Sequence, residues 1–117
     1  MLDTSEIRSS PLADLVTERL GGRTYLQERT VTVGTSIIQV LENNPNRLAY
    51  DLINESANDI RVSTDSTITA TSGWLVVAKG GLFGMVYYDD GEGVGQALYA
   101  IAAAAGSVVR VREVIRL

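Results

Sequence analysis

The chain has 117 residues, 45% of them hydrophobic and 21% charged, with ten basic against fourteen acidic side chains and a formal net charge of -4. It contains no cysteine and no histidine, which closes off disulfide frameworks, Cys/His zinc sites, and the catalytic dyads and triads built on those residues. The acidic balance also argues against nucleic acid as a partner, because binding phosphates requires Lys and Arg to displace condensed counterions.

This length and composition suit one globular domain with a core of its own. The opening MLDTSEIRSS lacks a basic region followed by an apolar core, so no secretory signal is expected. No apolar run reaches the roughly 18 residues of a membrane span. Asn54-Glu55-Ser56 matches the N-glycosylation sequon, but without a signal peptide chance explains it better. A chain without cysteine leaves the redox compartment open.

Residues 1–9 are polar. Ser10-Pro11 then starts a helix, with Ser as N-cap and Pro at the first helical position, where its missing N–H costs nothing. Leu12, Leu15, Val16 and Leu20 follow at one-face spacing, and Gly21-Gly22 supplies the stop. Ten residues make a marginal helix in isolation. Its apolar stripe must therefore pack on the domain or on a neighbouring subunit, and residues 1–22 are read as an arm and helix ahead of a β-domain over 23–117.

From Arg23 to Leu41 the composition turns to Thr, Val, Ile and Tyr, which suit a pleated surface. Gly34 divides this run into two strands. Asn43-Asn44-Pro45-Asn46 is a turn cluster, and Arg47–Asn54 is expected as a central strand, with Leu48, Tyr50 and Leu52 on one face and Ala49, Asp51 and Ile53 on the other. Glu55–Asp59 reads as the turn of a hairpin that returns through Ile60 and Val62. A short segment over Thr67–Thr71, strands over Trp74–Lys79 and Leu82–Tyr88, and a strand over Gln96–Ala102 with a turn at Ala103–Ser107 complete the pattern. For the Ala-rich 96–105 run a helix ending at Gly106 is the alternative. Trp74, Tyr87 and Tyr88 are expected to fill core.

Asp89-Asp90-Gly91-Glu92-Gly93-Val94-Gly95 holds carboxylates beside glycines, the ligand chemistry of a hard cation. It lacks the alternating spacing and distal Glu of an EF-hand, so a flexible surface loop is expected and no metal is assigned. The G-x-G-x-x-G fingerprint fails because Gln96 stands where the third glycine belongs. Asp89 and Asp90, adjacent on an extended chain, point to opposite faces and do not form an acid/base pair.

The last strand divides cleanly. Val109, Val111, Ile115 and Leu117 share one face, and Arg110, Arg112 and Arg116 share the other. Glu113 falls with the apolar set. A buried carboxylate requires a partner, and Arg47, at the start of the central strand, is assigned to it as a buried ion pair. Turn signals recur every 8 to 12 residues or so, as in a sandwich or barrel. The fold class is thus all-β, an antiparallel β-sandwich or jelly-roll-like barrel with one short N-terminal α-helix.

Several features are similar to the small β-sandwich virion proteins of tailed bacteriophages. They are Asn44-Pro45-Asn46-Arg47 opening an apolar strand, Ile53-Asn54-Glu55-Ser56 ending it, the turn at Gly80-Gly81, Gln96-Ala97-Leu98-Tyr99-Ala100-Ile101-Ala102, and the closing Val109-Arg110-Val111-Arg112-Glu113. The resemblance covers about residues 30 to 115. It implies a non-enzymatic, homo-oligomeric decoration or head-associated component without catalytic residues or cofactors, placed in a virion assembled in the host cytoplasm. Its partners would be copies of itself, as a trimer or pentamer, and the major capsid or another virion protein. Ala100–Ala105, Leu82, Phe83 and Met85 look like surplus apolar surface that self-association would cover. Leu12, Leu15, Val16, Leu20, Leu82 and Phe83 are the candidate contacts between subunits or with a partner. The alternative is a carbohydrate- or receptor-binding β-sandwich module with exposed aromatics as stacking platforms.

Overall fold

The computed structural model describes residues 23–117, so the helix expected from Ser10 and the contacts assigned to Leu12, Leu15, Val16 and Leu20 lie outside the described residues. Among the described residues the chain forms eight strands: β1 Thr24–Val33, β2 Ile38–Leu41, β3 Arg47–Asn54, β4 Ile60–Ser63, β5 Trp74–Val76, β6 Gly81–Val86, β7 Leu98–Ala102 and β8 Ser107–Arg116. They build two four-stranded antiparallel sheets, one ordered β1-β8-β3-β6 and the other β2-β7-β4-β5. Every connection except β4 to β5 carries the chain from one sheet to the other. Two sheets of four strands linked in this way make a jelly roll.

That topology corrects the reading of Leu41–Val62 as a hairpin. β3 belongs to the first sheet and β4 to the second, so Glu55–Asp59 is an arch between layers. Its hub is Asn54, which is fully buried. The Asn54 amide donates to Asn58 O at 2.8 Å and to Val76 O at 3.0 Å, while its Oδ1 accepts from Ser56 N at 3.0 Å and Ser56 Oγ at 2.7 Å. All four hydrogen-bonding positions of the side chain are used. They hold the end of one sheet against β5 of the other, where a hairpin would have used ladder bonds.

The core lies between the sheets and is made of inward residues at period two, including Leu41, Leu52, Ile60, Val62, Leu98 and Val111. Of the apolar run read as surplus, Ala100, Ile101 and Ala102 are buried in or against β7. The segment is a strand followed by a turn, as the first of its two readings has it. β8 alternates as expected from Ser107 to Arg116, but Leu117 lies beyond the strand and is exposed rather than on the apolar face.

Two other segments depart from expectation. Thr67–Thr71 is not a strand: Asp65 Oδ1 accepts from Thr67 N at 2.9 Å and from Thr67 Oγ1 at 2.7 Å, and this local bonding holds the segment in turns. The strand begun at Trp74 ends at Val76 rather than Lys79, because Lys79 (φ 59°) and Gly80 (φ 113°) are left-handed and swing the chain into β6. At Gly81 a Cβ would lie 2.3 Å from Val77 O, so no side chain fits there.

Candidate interaction surface

The two sheets are unequal. β1, β8, β3 and β6 have 10, 10, 8 and 6 residues, whereas β2, β7, β4 and β5 have 4, 5, 4 and 3. One end of the first sheet therefore overhangs the second, and its inner face there is covered by the turn after β2 and by the segment between β6 and β7. This is where the polar pair sits. Arg47 and Glu113 are both buried, and Arg47 Nε donates to Glu113 Oε2 at 2.8 Å.

The rest of the guanidinium binds the covering loops: Nη1 donates to Val94 O at 3.3 Å and Gln96 O at 3.2 Å, and Nη2 to Glu42 O at 2.7 Å. Its carbon lies 5.7 Å from the centre of the Tyr50 ring. Arg29 adds a second cation 4.0 Å from Glu113 Oε1 and donates to Val40 O. A small cavity of about 160 Å³, lined by Tyr25, Gln27, Arg29 and Asn44 among others, opens beside this cluster. With each nitrogen of Arg47 donating to a carboxylate or carbonyl, the cluster clamps loops to the sheet.

A bulge brings Arg47 inside. Register with β8 shifts between Arg47, opposite Ile115, and Ala49, opposite Val114, so two residues of β3 face one step of β8 there. Strict alternation would have placed Leu48 inward with Tyr50. Instead Leu48 is half-buried at the bulge and the inner face runs Arg47, Tyr50, Leu52, Asn54.

Tyr50 carries a buried hydroxyl without a hydrogen-bond partner among the described residues. Burial pushes its pKa up from 10.0 to about 12, with the Arg47 charge opposing and the Asp90 charge adding to that rise. The folded state thus holds the phenol proton more tightly than the unfolded chain does. Stability from this group is complete below pH 10.0 and is lost as pH rises from there to about 12. We expect Tyr50→Phe to leave stability unchanged or slightly raised at neutral pH, since it removes an unpaired polar atom. Urea titrations should show the variant gaining on the wild type through the alkaline range, and parallel curves would contradict this assignment.

The outer face of the first sheet is ruled by rows. Leu26, Val114, Ala49 and Val86 form an apolar row across all four strands, next to a row of Glu28, Arg112, Asp51 and Gly84. Arg112 grips Asp51 through Nε at 3.1 Å and Nη2 at 2.8 Å, and Arg110 reaches Glu55 at 2.7 Å and Glu28 at 3.1 Å. An open groove of about 620 Å³ runs over these rows. Its wall is a helical turn, α1 (Tyr87–Asp90), followed by a 3-10 turn, Gly91–Gly95. The carboxylate-glycine segment is thus coiled on the surface, where Asp90 Oδ2 accepts from Val86 N at 2.8 Å, and Val94 is buried in the core.

The largest departure from the sequence reading is at the flank where β5 and β6 run side by side. Trp74 is 67% exposed, and Leu75, Val77 and Leu82 are exposed with it. Tyr88 is 72% exposed and Tyr87 is also on the surface, so none of the three aromatics expected to fill core does so. The physical reason is position. Trp74 opens an edge strand of three residues and tilts against Phe83, 6.3 Å between ring centres, where the sheets end. Tyr87 and Tyr88 are carried off the strand by α1, with their rings edge to face. Phe83 and Met85 pack against the core, so of the candidate contacts on β6 only Leu82 faces solvent, at 65% exposure. Leu75 and Val77 belong to the same flank and carried no signal beyond their strand propensity.

Neither a protein-family model nor a curated protein matches the chain. Among solved structures it is similar to one from Bacillus endospore appendages, described as a novel family of disulfide-linked pili. That likeness has 13% identity and a TM-score of 0.45 over 82% of this chain and 92% of that one. It is also similar to dTDP-4-dehydrorhamnose 3,5-epimerase from Bacillus anthracis str. Ames with TDP and PPi bound, at 15% identity and a TM-score of 0.47 over 88% of this chain and 60% of that one. At these levels neither likeness bears on what the chain does.

Proposed function

We propose that this chain is a non-enzymatic structural subunit that works as a homo-oligomer, of the class built into a virion as a capsid decoration or head-associated component. The observation that carries this reading is the exposure of Trp74, Leu75, Val77 and Leu82 along the edge where β5 and β6 end their sheets, with Leu75 on the outer face of one sheet and Leu82 on that of the other. Exposed apolar side chains concentrated along one edge favour an interaction there. The virion setting rests on the strand-end pattern that resembles small β-sandwich phage proteins. Within it, the partners are further copies of the chain and a major capsid or other shell protein.

Size-exclusion chromatography with light scattering tests the reading. The expected result is a defined integer multiple of the chain mass, and a strict monomer at all concentrations would remove it. The exposure of Trp74 also favours a second reading, a carbohydrate- or receptor-binding module with the indole as a stacking platform. Retention on a glycan column by a monomeric wild type, lost on Trp74→Ala, would select that reading instead.

A further inference from the structure

The groove over the outer face of the first sheet has an apolar floor and two distinct ends. Its floor is the row Leu26, Val114, Ala49 and Val86, one residue from each strand. Leu26 is 61% exposed, and the other three are half-buried. Crossing from the first strand to the fourth takes three interstrand steps, about 14 Å. At the β6 end stands α1, where Asp89 is exposed and Asp90 holds the Val86 N–H. At the β1 end the described chain begins, with Arg23 O accepting from Leu117 N–H at 2.7 Å, three residues before Leu26.

The sequence ahead of Arg23 matches this groove in pattern, length and charge. Ser10–Leu20 carries Leu12, Leu15, Val16 and Leu20 at one-face spacing, an apolar stripe for an apolar floor. As a helix it would be about 16 Å long, enough to cross the whole row. Only Gly21 and Gly22 stand between Leu20 and Arg23. So short a link spans at most about 11 Å and sets Leu20 over β1. The direction of the helix follows from that tether. Its Ser10 end falls beside β6 and α1, so the positive end of its dipole, with Arg8 just before it, faces Asp89 and Asp90. Arg19, three residues on from Val16 and four from Leu15, shares their face and arrives at the β1 end beside Glu28.

We propose that residues 10–20 lie as a helix across this groove, on the outer face of their own chain's first sheet, with Leu20 at Leu26, Val16 at Val114 and Leu12 between Ala49 and Val86. The tether decides for the chain's own groove over that of a second copy. A link of this length gives an effective concentration of about millimolar order, so the groove is filled from within before another copy's stripe competes for it. The stripe is thereby withdrawn from contacts between copies, which leaves the β5/β6 flank to make them.

The absence of cysteine from the sequence permits a direct test on the full chain. Val16→Cys combined with Val114→Cys, treated with a short bifunctional thiol reagent, should be joined within one chain about ten times faster or more than a control. The control combines Val16→Cys with Gln39→Cys, whose second site is exposed on the other sheet. A product at twice the chain mass would show that a second copy supplies the segment, and a rate no faster than the control would show that the segment lies elsewhere; either result overturns the proposal. A second readout needs no cysteine. Amide protons of residues 14–20 should be protected from exchange in the wild type, and Leu26→Lys, a change on the exposed outer face, should cut that protection about tenfold or more. Equal protection in the two proteins would contradict the docking. Neither readout depends on the mass of the assembly, so a monomer in light scattering removes the structural-subunit reading and leaves this one standing.

Discussion

Glu113→Ala is expected to destabilise the domain by about 3–5 kcal/mol, because it leaves the Arg47 guanidinium buried without its counter-charge. The position explains why so much rests on one carboxylate. Arg47 is 2% exposed, and its other donors hold the carbonyls of Glu42, Val94 and Gln96, so the cation cannot swing out to water without releasing both covering loops. Arg29, at 4.0 Å from Glu113 and partly exposed, is no substitute for the missing carboxylate. Urea unfolding followed by circular dichroism gives the value directly. A double variant, Arg47→Met with Glu113→Leu, should recover much of the loss, since apolar replacement of both members of a buried pair is often neutral or better. A single Glu113→Ala variant within about 1 kcal/mol of wild type would show that the pair is not clamped as described, that being the range of an exposed pair.

Asn54→Ala is the second large effect. It strips the arch between the sheets of two donors and two acceptor contacts, leaving Val76 O without the Asn54 amide and Asn58 O with only the Ser56 hydroxyl at 2.9 Å. Each buried group left unpaired costs about 1–3 kcal/mol, so a total near 3 kcal/mol is expected. Asn54→Asp should cost more than Ala, because it keeps the acceptor to Ser56 but sets a buried carboxylate oxygen against the carbonyls of Asn58 and Val76. Loss below about 0.5 kcal/mol, the size of an ordinary surface substitution, would mean that the arch is held by the sheets and not by this side chain.

Much of the fold was legible from period two. β8 announces itself as Val109, Val111 and Ile115 against Arg110, Arg112 and Arg116, and Glu113 stands out because a carboxylate occupies an apolar register. What periodicity does not carry is the sheet to which a strand belongs. The turns at Asn43–Asn46 and Glu55–Asp59 have hairpin composition, yet both join strands of different layers, and only the inward-turned Asn54 amide distinguishes arch from hairpin. The bulge at Leu48 is equally silent, since it depends on register with a strand some 65 residues away in sequence. Trp74 was misplaced for a different reason. Aromatic propensity describes a pleated, half-buried surface, and a residue that begins a three-residue edge strand has a partner on one side only. Tyr87 and Tyr88 extend the alternation of β6, but the Asp90 carboxylate on the Val86 N–H turns the chain into α1 before they can join it.

The fluorescence of Trp74 bears most directly on the idea that sister copies cover the β5/β6 flank, since it is the one tryptophan in the sequence and stands 67% exposed on a single copy. At high protein concentration its emission should be blue-shifted and poorly quenched by acrylamide, and dilution through the dissociation constant should shift it to the red and open it to quencher. Emission that stays water-like and fully quenchable at every concentration, or that stays buried with no response to dilution, would contradict the account.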